Sequence, residues 1–338
     1  MHIVKLNKDL EPEYERFVEK HAFSVFYYTL AYRDIIIKLL KCEDEYHVLI
    51  DKDEVRAILP ILSKTGKFGK VFNSLPYYGA HGAILAENEY YYQALLKKYD
   101  ELTKTVAASC YIENPLFRDA LKPEHDYVSE RVCLINTIKD LDSEELLMQS
   151  FESVRRRNVR KAIKENIQVR IDNSPDSLRF LYETHKINME AIGGKVKEWD
   201  FFDSIDQFFT KNKDYNLYIA ELNGKKIAAL LLFYFNKSTE YYTPVIVEEY
   251  RNMQPLAIMV FRAMQDSVVR GFNYWNWGGN GIGLNSVYQF KKKWGAEDYL
   301  YNYYIKINNR AILDASPEEL SGEYDNFFVV PFDKLNKG

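Results

Sequence analysis

A chain of 338 residues is long enough for two domains of typical size, and its formal net charge of −4 argues against a general nucleic-acid-binding protein. Its 47% hydrophobic and 28% charged residues are typical of a globular protein, and its longest apolar run, 227–235, is far shorter than the ~20 residues of a membrane span. Three widely spaced cysteines argue against a disulfide framework, and residues 1–5 lack a signal-peptide core. We therefore expect a cytoplasmic protein, free or peripheral to the inner face of the membrane.

The first 145 residues predict alternating strands and helices. Apolar residues in 46–51 and 55–62 flank a charged turn, which indicates a strand hairpin. Proline and glycine in 73–82 predict an irregular loop, and apolar residues at helical spacing predict a helix over 90–106.

A polar segment at 140–145 predicts a domain boundary. Asp142 or Ser143 is suited to cap a helix with acidic residues in its first turn. The helix predicted next, over 151–166, has Val159 and Ile163 on one side and its basic residues largely on the other. We therefore expect a first domain at 1–145, completed by the tail 309–338, and a second domain at 146–308.

The second half repeats this order of elements. The pattern predicts helices at 177–191 and 200–211, and a strand hairpin at 217–235 with an Asn-Gly turn. A strand at 240–246, a helix opened by proline at 255–271 and a final strand at 299–307 follow. Both halves therefore predict an α/β (α+β) unit in which helices flank a mixed central sheet.

Two segments concentrate groups suited to an anion. Six basic residues fall within 155–164, from Arg155 to Lys164. The run 274–295 leads from an aromatic strand through a glycine-rich stretch to three consecutive lysines. Glycine lets the backbone approach a bound group closely, and lysines beyond such a turn are suited to a phosphate or an oxyanion. The run therefore predicts one side of a binding site.

Four segments in sequence resemble the Fem-type aminoacyl transferases and their acyltransferase relatives. The first two are a Ser-Leu-Pro, aromatic, Gly loop at 74–79 and an Arg-Arg-Asn-aliphatic-Arg-Lys-Ala helix at 156–162. The third runs from the tyrosines at 241–242 through Glu-Tyr-Arg at 249–251 to Pro255, before a long helix, and the fourth is a Phe-Lys-x-x-aromatic-Gly ending at 290–295. The resemblance covers about residues 70–297. It implies a bacterial enzyme with two tandem GNAT-like (acyl-CoA N-acyltransferase-like) domains, the first on the acceptor side.

What the resemblance implies about activity is aminoacyl or acyl transfer to an amine. Fem-type members move an amino acid from aminoacyl-tRNA to the stem peptide of a peptidoglycan precursor. We therefore expect a nucleotide-sugar or lipid-linked cell-envelope precursor as acceptor, charged tRNA or acyl-CoA as donor, no permanently bound cofactor and no DNA partner. The place of the usual Gly-rich CoA loop, 251–257, has no glycine and carries Pro255, which argues against a standard CoA site.

Two alternatives stay open. One is a CoA-dependent N-acyltransferase that acts on an amino sugar in surface-polysaccharide biosynthesis, as relatives of the family do. The other is a non-catalytic protein that binds a nucleotide-sugar or tRNA, because a fold alone does not establish catalysis.

The candidate catalytic residues are Lys291 and His81. No Gly-x-Ser-x-Gly or cysteine nucleophile motif occurs, which predicts direct attack by the amine without a covalent enzyme intermediate. Lys291 matches the first lysine of the family ending and is expected to stabilise an oxyanion or phosphate; a solvated surface lysine is the alternative. His81 is a candidate general base. The histidine and cysteine spacings predict no metal site.

Further residues are expected to bind substrate. Each group also has a structural alternative. The basic residues of the helix over 151–166 would form a solvated face, and the aromatic residues of the loop over 73–82 would pack against one another at the surface. Asn276 and Trp277 would lie in the core. The full set is Tyr77, Tyr78, Arg156, Arg157, Arg160, Lys161, Asn276, Trp277, Gly278 and Lys292.

Overall fold

The computed structural model describes residues 1–77, 79, 81–117, 121–282 and 286–336, and the chain divides into two compact units. Unit 1 comprises Met1–Cys133 and Tyr299–Gly338, and unit 2 comprises Leu134–Asp298. Sequence patterning places the boundaries after residues 145 and 308. The structure places them earlier, because the chain changes unit within the two strands Tyr127–Thr137 and Glu297–Ile307 and not in the polar segment 140–145.

The elements in chain order are as follows. The chain up to the first boundary forms β1 (His2–Lys5), α1 (Glu11–Lys20), α2 (Leu30–Leu40), β2 (Glu43–Asp44), β3 (His47–Asp51), β4 (Glu54–Leu59), β5 (Leu62–Gly66), β6 (Gly69–Asn73), β7 (Leu85–Ala86), α3 (Glu89–Thr103), β8 (Ala108–Ile112) and β9 (Tyr127–Thr137). Next come α4 (Glu144–Ser150), α5 (Ser153–Lys164), β10 (Gln168–Ile171), α6 (Pro175–Glu190), α7 (Trp199–Phe208), β11 (Tyr215–Leu222), β12 (Lys225–Phe235), β13 (Ser238–Ile246), α8 (Pro255–Val269), β14 (Tyr274–Gly281) and α9 (Ser286–Lys292). The chain ends with β15 (Glu297–Ile307) and α10 (Pro317–Glu323), and short 3₁₀ helices lie at Phe26–Tyr28, Glu248–Met253, Arg310–Asp314 and Phe332–Lys334.

Unit 1 contains mixed strand pairing. β1, β3, β4 and β7 form a four-stranded antiparallel sheet, and the predicted hairpin at its centre is β3–β4. β8 pairs in parallel with β6 and antiparallel with β15, and β5 pairs antiparallel with β6. Helix α3 buries Leu95, Leu96 and Tyr99 at helical spacing, as the periodicity of 90–106 predicts.

Unit 2 is built on the strand order β10-β11-β12-β13-β14. The first three pairings are antiparallel, and β13 and β14 are parallel. The β11–β12 turn falls on Asn223 and Gly224, both with positive φ, which is the geometry that an Asn-Gly hairpin turn requires. In β13, Thr243 and Tyr241 pair with consecutive residues of β12, so Tyr242 forms a β-bulge.

The core of unit 2 contains eight of the fifteen residues of helix α8 and three tryptophans, Trp275, Trp277 and Trp294. Helix α5 buries Val159 and Ala162 against this core. The prediction that Ile163 shares the apolar side is wrong, because α5 packs with Ala162 facing the core beside Val159, which leaves Ile163 45% exposed. Within the described residues, no helix has the length and apolarity needed to cross a bilayer.

Candidate active site

The parallel strands β13 and β14 pair for only three residues and then separate. The pairs run from Ser238–Tyr274 to Glu240–Asn276, after which β13 continues to Ile246 without further pairing to β14. The end of β13 lines a cavity of about 450 Å³ in unit 2, together with the N-terminus of α8 and helix α9. The lining residues are Arg155, Asn188, Tyr241, Pro244, Val245, Ile246, Arg251, Gln254, Leu256, Ala257, Ser286, Val287, Phe290 and Lys291.

The cavity combines positive charge with apolar surface. Arg155, Arg251 and Lys291 are among its described lining residues, and no carboxylate is. Val245, Leu256 and other apolar side chains supply most of the remaining surface. Such a cavity is suited to a ligand that carries both an anionic group and an apolar or uncharged one.

Lys291, the predicted catalytic lysine, lines this cavity, and its catalytic role stays a prediction. It is in the last turn of α9, only 7% exposed, and its Nζ donates a hydrogen bond to Asn280 Oδ1 at 3.2 Å. An ammonium group withdrawn from water acts more strongly on a nearby negative charge than one on the surface. The alternative of a solvated surface lysine therefore does not describe Lys291.

Arg155 is a site residue that sequence reasoning missed. Its guanidinium lies 4.2 Å from the centroid of the Phe290 ring, and its Nη2 donates to the Phe290 carbonyl at 3.1 Å. Burial lowers the pKa of the Arg155 guanidinium, and its Nε makes no hydrogen bond among the described residues. A buried donor without a partner is costly, and the side chain that carries it lines the cavity. Nothing in the sequence distinguishes Arg155 from its basic neighbours.

The other basic residues of α5 do not line the cavity. Arg156 Nη1 donates to the Phe151 carbonyl at 2.6 Å and so completes the end of α4. Arg157, Arg160 and Lys161 are exposed on α5. Their predicted role in substrate binding stays a prediction, and it now concerns a surface outside the cavity.

The Phe-Lys-x-x-aromatic-Gly ending has a physical explanation in this geometry. Phe290 packs under Arg155, Lys291 lines the cavity, and Trp294 is buried with its carbonyl accepting from Asn136 Nδ2 at 2.8 Å. Gly295 has φ +80°, and its N–H donates to the Lys292 carbonyl at 2.9 Å, which ends α9. Lys292 pairs with Asp298 at 3.1 Å and is not among the lining residues, so its predicted contact with substrate stays a prediction.

Asn276 and Trp277 lie in the core of unit 2. Asn276 Nδ2 donates to Glu240 Oε1 at 3.0 Å, and Trp277 Nε1 donates to Asn136 Oδ1 at 2.6 Å. Burial raises the pKa of the Glu240 carboxyl to about 8. Gly278 follows with φ +77° and is half-buried. The substrate-binding role predicted for these residues stays a prediction.

Two candidates from the first-domain loop lie in the interior of unit 1. His81 is fully buried beside the Tyr27 ring, and burial lowers the pKa of its imidazole to about 3. Tyr77 is 2% exposed, with φ +66°. A general base with so low a pKa is weak at neutral pH, so the catalytic role of His81 stays a prediction that its burial does not favour. Tyr78 lies outside the described residues. The described residues contain no cluster of three or more groups that could hold a metal.

Residues 150–299 match the family described as an acetyltransferase (GNAT) domain. This part of the chain has the fold of a GNAT domain. Two proteins named lipid II:glycine glycyltransferase, from two strains of Staphylococcus epidermidis, are each 29% identical over 102 residues, 30% of this chain and 24% of theirs. The match thus spans about a quarter of the length of these curated relatives. The resemblance to Fem-type proteins with GNAT-like domains is confirmed.

Solved structures show the same fold. The crystal structure of FemX superposes with a TM-score of 0.71 at 15% identity, covering 92% of this chain and 98% of that one. A conserved protein of unknown function from Bacteroides thetaiotaomicron superposes with a TM-score of 0.56 at 11% identity, covering 90% of this chain and 99% of that one. The C-terminal domain of a putative lysylphosphatidylglycerol synthetase from Agrobacterium fabrum superposes with a TM-score of 0.56 at 11% identity, covering 96% of this chain and 99% of that one. The predicted α/β fold with tandem GNAT-like domains is confirmed.

Proposed function

We propose that this chain transfers an aminoacyl group from aminoacyl-tRNA to an amine of a peptidoglycan precursor. The observation that carries the proposal is the cavity in residues 150–299, where Lys291 and Arg155 are among the described lining residues and no carboxylate is. The relatives named lipid II:glycine glycyltransferase support the choice of acceptor. A lipid-linked acceptor would bring the protein to the inner face of the membrane.

The N-terminus of α8 favours a donor recognised by side chains. Pro255 at its first position has no N–H, and Gln254 before it makes no side-chain cap. The Ala257 N–H already donates to the Gln254 carbonyl at 2.9 Å. Few backbone amides are thus available for a compact diphosphate, which CoA would bring. The guanidinium groups of Arg155 and Arg251 are suited to single phosphates.

In the proposed reaction, a side chain of the cavity acts on the carbonyl of the donor. The uncharged amine of the acceptor attacks the ester carbonyl of the donor and forms a C–N bond, with negative charge developing on the carbonyl oxygen. The Lys291 ammonium stabilises this oxyanion. The C–O bond to the terminal ribose then breaks, and the proton lost by the amine goes to the leaving ribose oxygen. No covalent enzyme intermediate forms.

The match to an acetyltransferase domain favours a second candidate, a CoA-dependent N-acyltransferase that acts on an amino sugar. The same lysine would stabilise the oxyanion, and a thioester sulfur would leave in place of the ribose oxygen. The two candidates differ in donor and therefore in what binds the free protein.

A thermal-shift panel separates the donors. A ligand at about 100 times its Kd adds roughly 2.7 kcal/mol to the free energy of unfolding, which raises Tm by on the order of 5 to 10 °C. We expect a shift with aminoacyl-tRNA and with UDP-muramoyl-pentapeptide, and none with acetyl-CoA. A shift with acetyl-CoA alone supports the second candidate, and no shift with any of the three contradicts both.

The exposed basic residues of α5 give a second test of the donor. Replacing Arg157, Arg160 and Lys161 by glutamine removes up to three phosphate contacts, each worth about 0.7 to 0.9 in the slope of log affinity against log salt. We therefore expect tRNA affinity to fall at least ~10-fold and its salt dependence to weaken, as measured by filter binding at several salt concentrations.

The matched control replaces two exposed lysines elsewhere in unit 2, Lys186 and Lys237, by glutamine. Because these lie outside α5, tRNA affinity and its salt slope should change much less. Equal losses in the two variants would show that α5 makes no specific contact with tRNA.

A further inference from the structure

A chain of hydrogen bonds joins the core of unit 2 to Lys291. It starts at Glu240 and Asn276, the last paired residues before β13 and β14 separate, where Asn276 Nδ2 donates to Glu240 Oε1 at 3.0 Å. The Gly278 N–H donates to Asn276 Oδ1 at 2.8 Å, and Asn280 Nδ2 donates to the Gly278 carbonyl at 3.4 Å. The chain ends where Lys291 Nζ donates to Asn280 Oδ1 at 3.2 Å.

The buried end of this chain is fixed. Glu240 and Asn276 are almost fully buried, and Ser238 Oγ donates a second hydrogen bond to Glu240 Oε1 at 2.9 Å. Asn276 uses both atoms of its amide, one toward Glu240 and one toward Gly278. A buried amide satisfied in this way has one orientation, and any other leaves polar atoms unpaired. Beyond Asn276, β14 no longer pairs with β13, so on that side the hydrogen bonds of Asn276 to Glu240 and Gly278 tie the segment that carries Asn280 to β13.

We propose that Glu240 is a positioning residue, which through Asn276, Gly278 and Asn280 fixes the place of the Lys291 ammonium in the cavity. The proposal rests on the proposed function, because it assigns Lys291 to the reaction. A catalytic group must lie within a fraction of an ångström of its productive position, and a 1 Å displacement costs up to ~100-fold in rate. Glu240 is unusual as a carboxyl at a buried strand position, and this role explains its presence there.

The variants follow the links of the chain. Glu240→Met removes the acceptor at similar volume, whereas Glu240→Gln keeps an oxygen acceptor. Because burial raises the pKa of Glu240 to about 8, most of the carboxyl is neutral at pH 7 and glutamine is its close mimic. Asn280→Ala cuts the last link at a half-buried position, so the test survives if Glu240→Met does not fold.

We expect Glu240→Met and Asn280→Ala each to lower kcat about 10-fold or more, with the KM for donor nearly unchanged. The double variant should lose no more than the worse single variant, because both act through Lys291. Glu240→Gln should retain the wild-type kcat. Losses that multiply in the double variant, or an unchanged kcat in a folded Glu240→Met, would overturn the proposal.

A second readout does not depend on turnover. Limited labelling of the full chain with acetic anhydride, quantified by mass spectrometry, reports how accessible the Lys291 amine is. We expect labelling of Lys291 to rise about 5-fold in Glu240→Met and in Asn280→Ala, because each variant weakens the hydrogen bond that holds the amine and a single hydrogen bond contributes about that factor. Labelling of Lys293 should stay constant. Unchanged Lys291 labelling would refute the positioning role. If the wild-type chain shows no transfer but labelling changes as expected, the proposed function fails and the positioning stands.

Discussion

Replacing Lys291 by methionine is expected to lower kcat for transfer by about 100- to 1,000-fold, the loss typical when one oxyanion-stabilising group is removed. Lys291 is 7% exposed and lines a cavity whose described residues include no carboxylate, so water and counter-ions are poor substitutes for its ammonium group. Methionine keeps the length of the side chain and removes its charge. The donor KM should change less than kcat, because the oxyanion exists only in the transition state.

The control for this substitution is Lys293→Met. Lys293 is two positions along from Lys291 and is not among the residues lining the cavity. Its replacement should leave kcat within about twofold of wild type, as for most substitutions outside a site. Equal kcat values for Lys291→Met and wild type, measured in steady state on folded protein, would remove Lys291 from the mechanism.

Replacing Gly295 by alanine is expected to destabilise unit 2 by roughly 2 to 5 kcal/mol. Gly295 has φ +80°, where any side chain costs about 1 to 2 kcal/mol, and a Cβ there would overlap the backbone carbonyl oxygen of Ser150. Because a backbone carbonyl cannot rotate away as a side chain can, overpacking adds about 1 to 3 kcal/mol. The free energy of unfolding from urea titration gives the measurement.

Gly278→Ala is the matched comparison. Gly278 has φ +77°, close to that of Gly295, but no heavy atom of the described residues lies within 4 Å of the position of its missing Cβ. Its replacement should therefore lower the free energy of unfolding only by the cost of a side chain at positive φ, about 1 to 2 kcal/mol. If both alanine variants lose the same stability, contact with Ser150 contributes nothing and the overlap has been relieved by a shift of the chain.

Local patterns predicted the elements of unit 2 well. The Asn223-Gly224 turn fixes its hairpin because only residues that tolerate positive φ suit that turn, and the observed strands extend the predicted ones by two residues at most. The apolar spacing from Leu256 onward likewise predicts α8, which starts at Pro255 as expected. The family ending brought attention to Lys291, which the structure places in the cavity.

Features that depend on distant pairings were not predictable. The unit boundaries lie within β9 and β15, where the residues are those of ordinary strands. The separation of β13 from β14 follows from which strands pair, and it is what makes Glu240 and Asn276 the last pair. Arg155 lines the cavity while Arg157 and Arg160 are exposed, a difference set by which side of α5 packs against the core. A run of basic residues carries no such information.

The most direct test of the central claim is transfer itself. Full-length protein is mixed with charged tRNA and UDP-muramoyl-pentapeptide, and mass spectrometry follows the mass of the acceptor in wild type and Lys291→Met. We expect an acceptor heavier by one amino-acid residue in the wild type, formed about 100-fold or more slowly in the variant. An acceptor of unchanged mass with wild-type protein, under conditions in which both ligands bind, would contradict it.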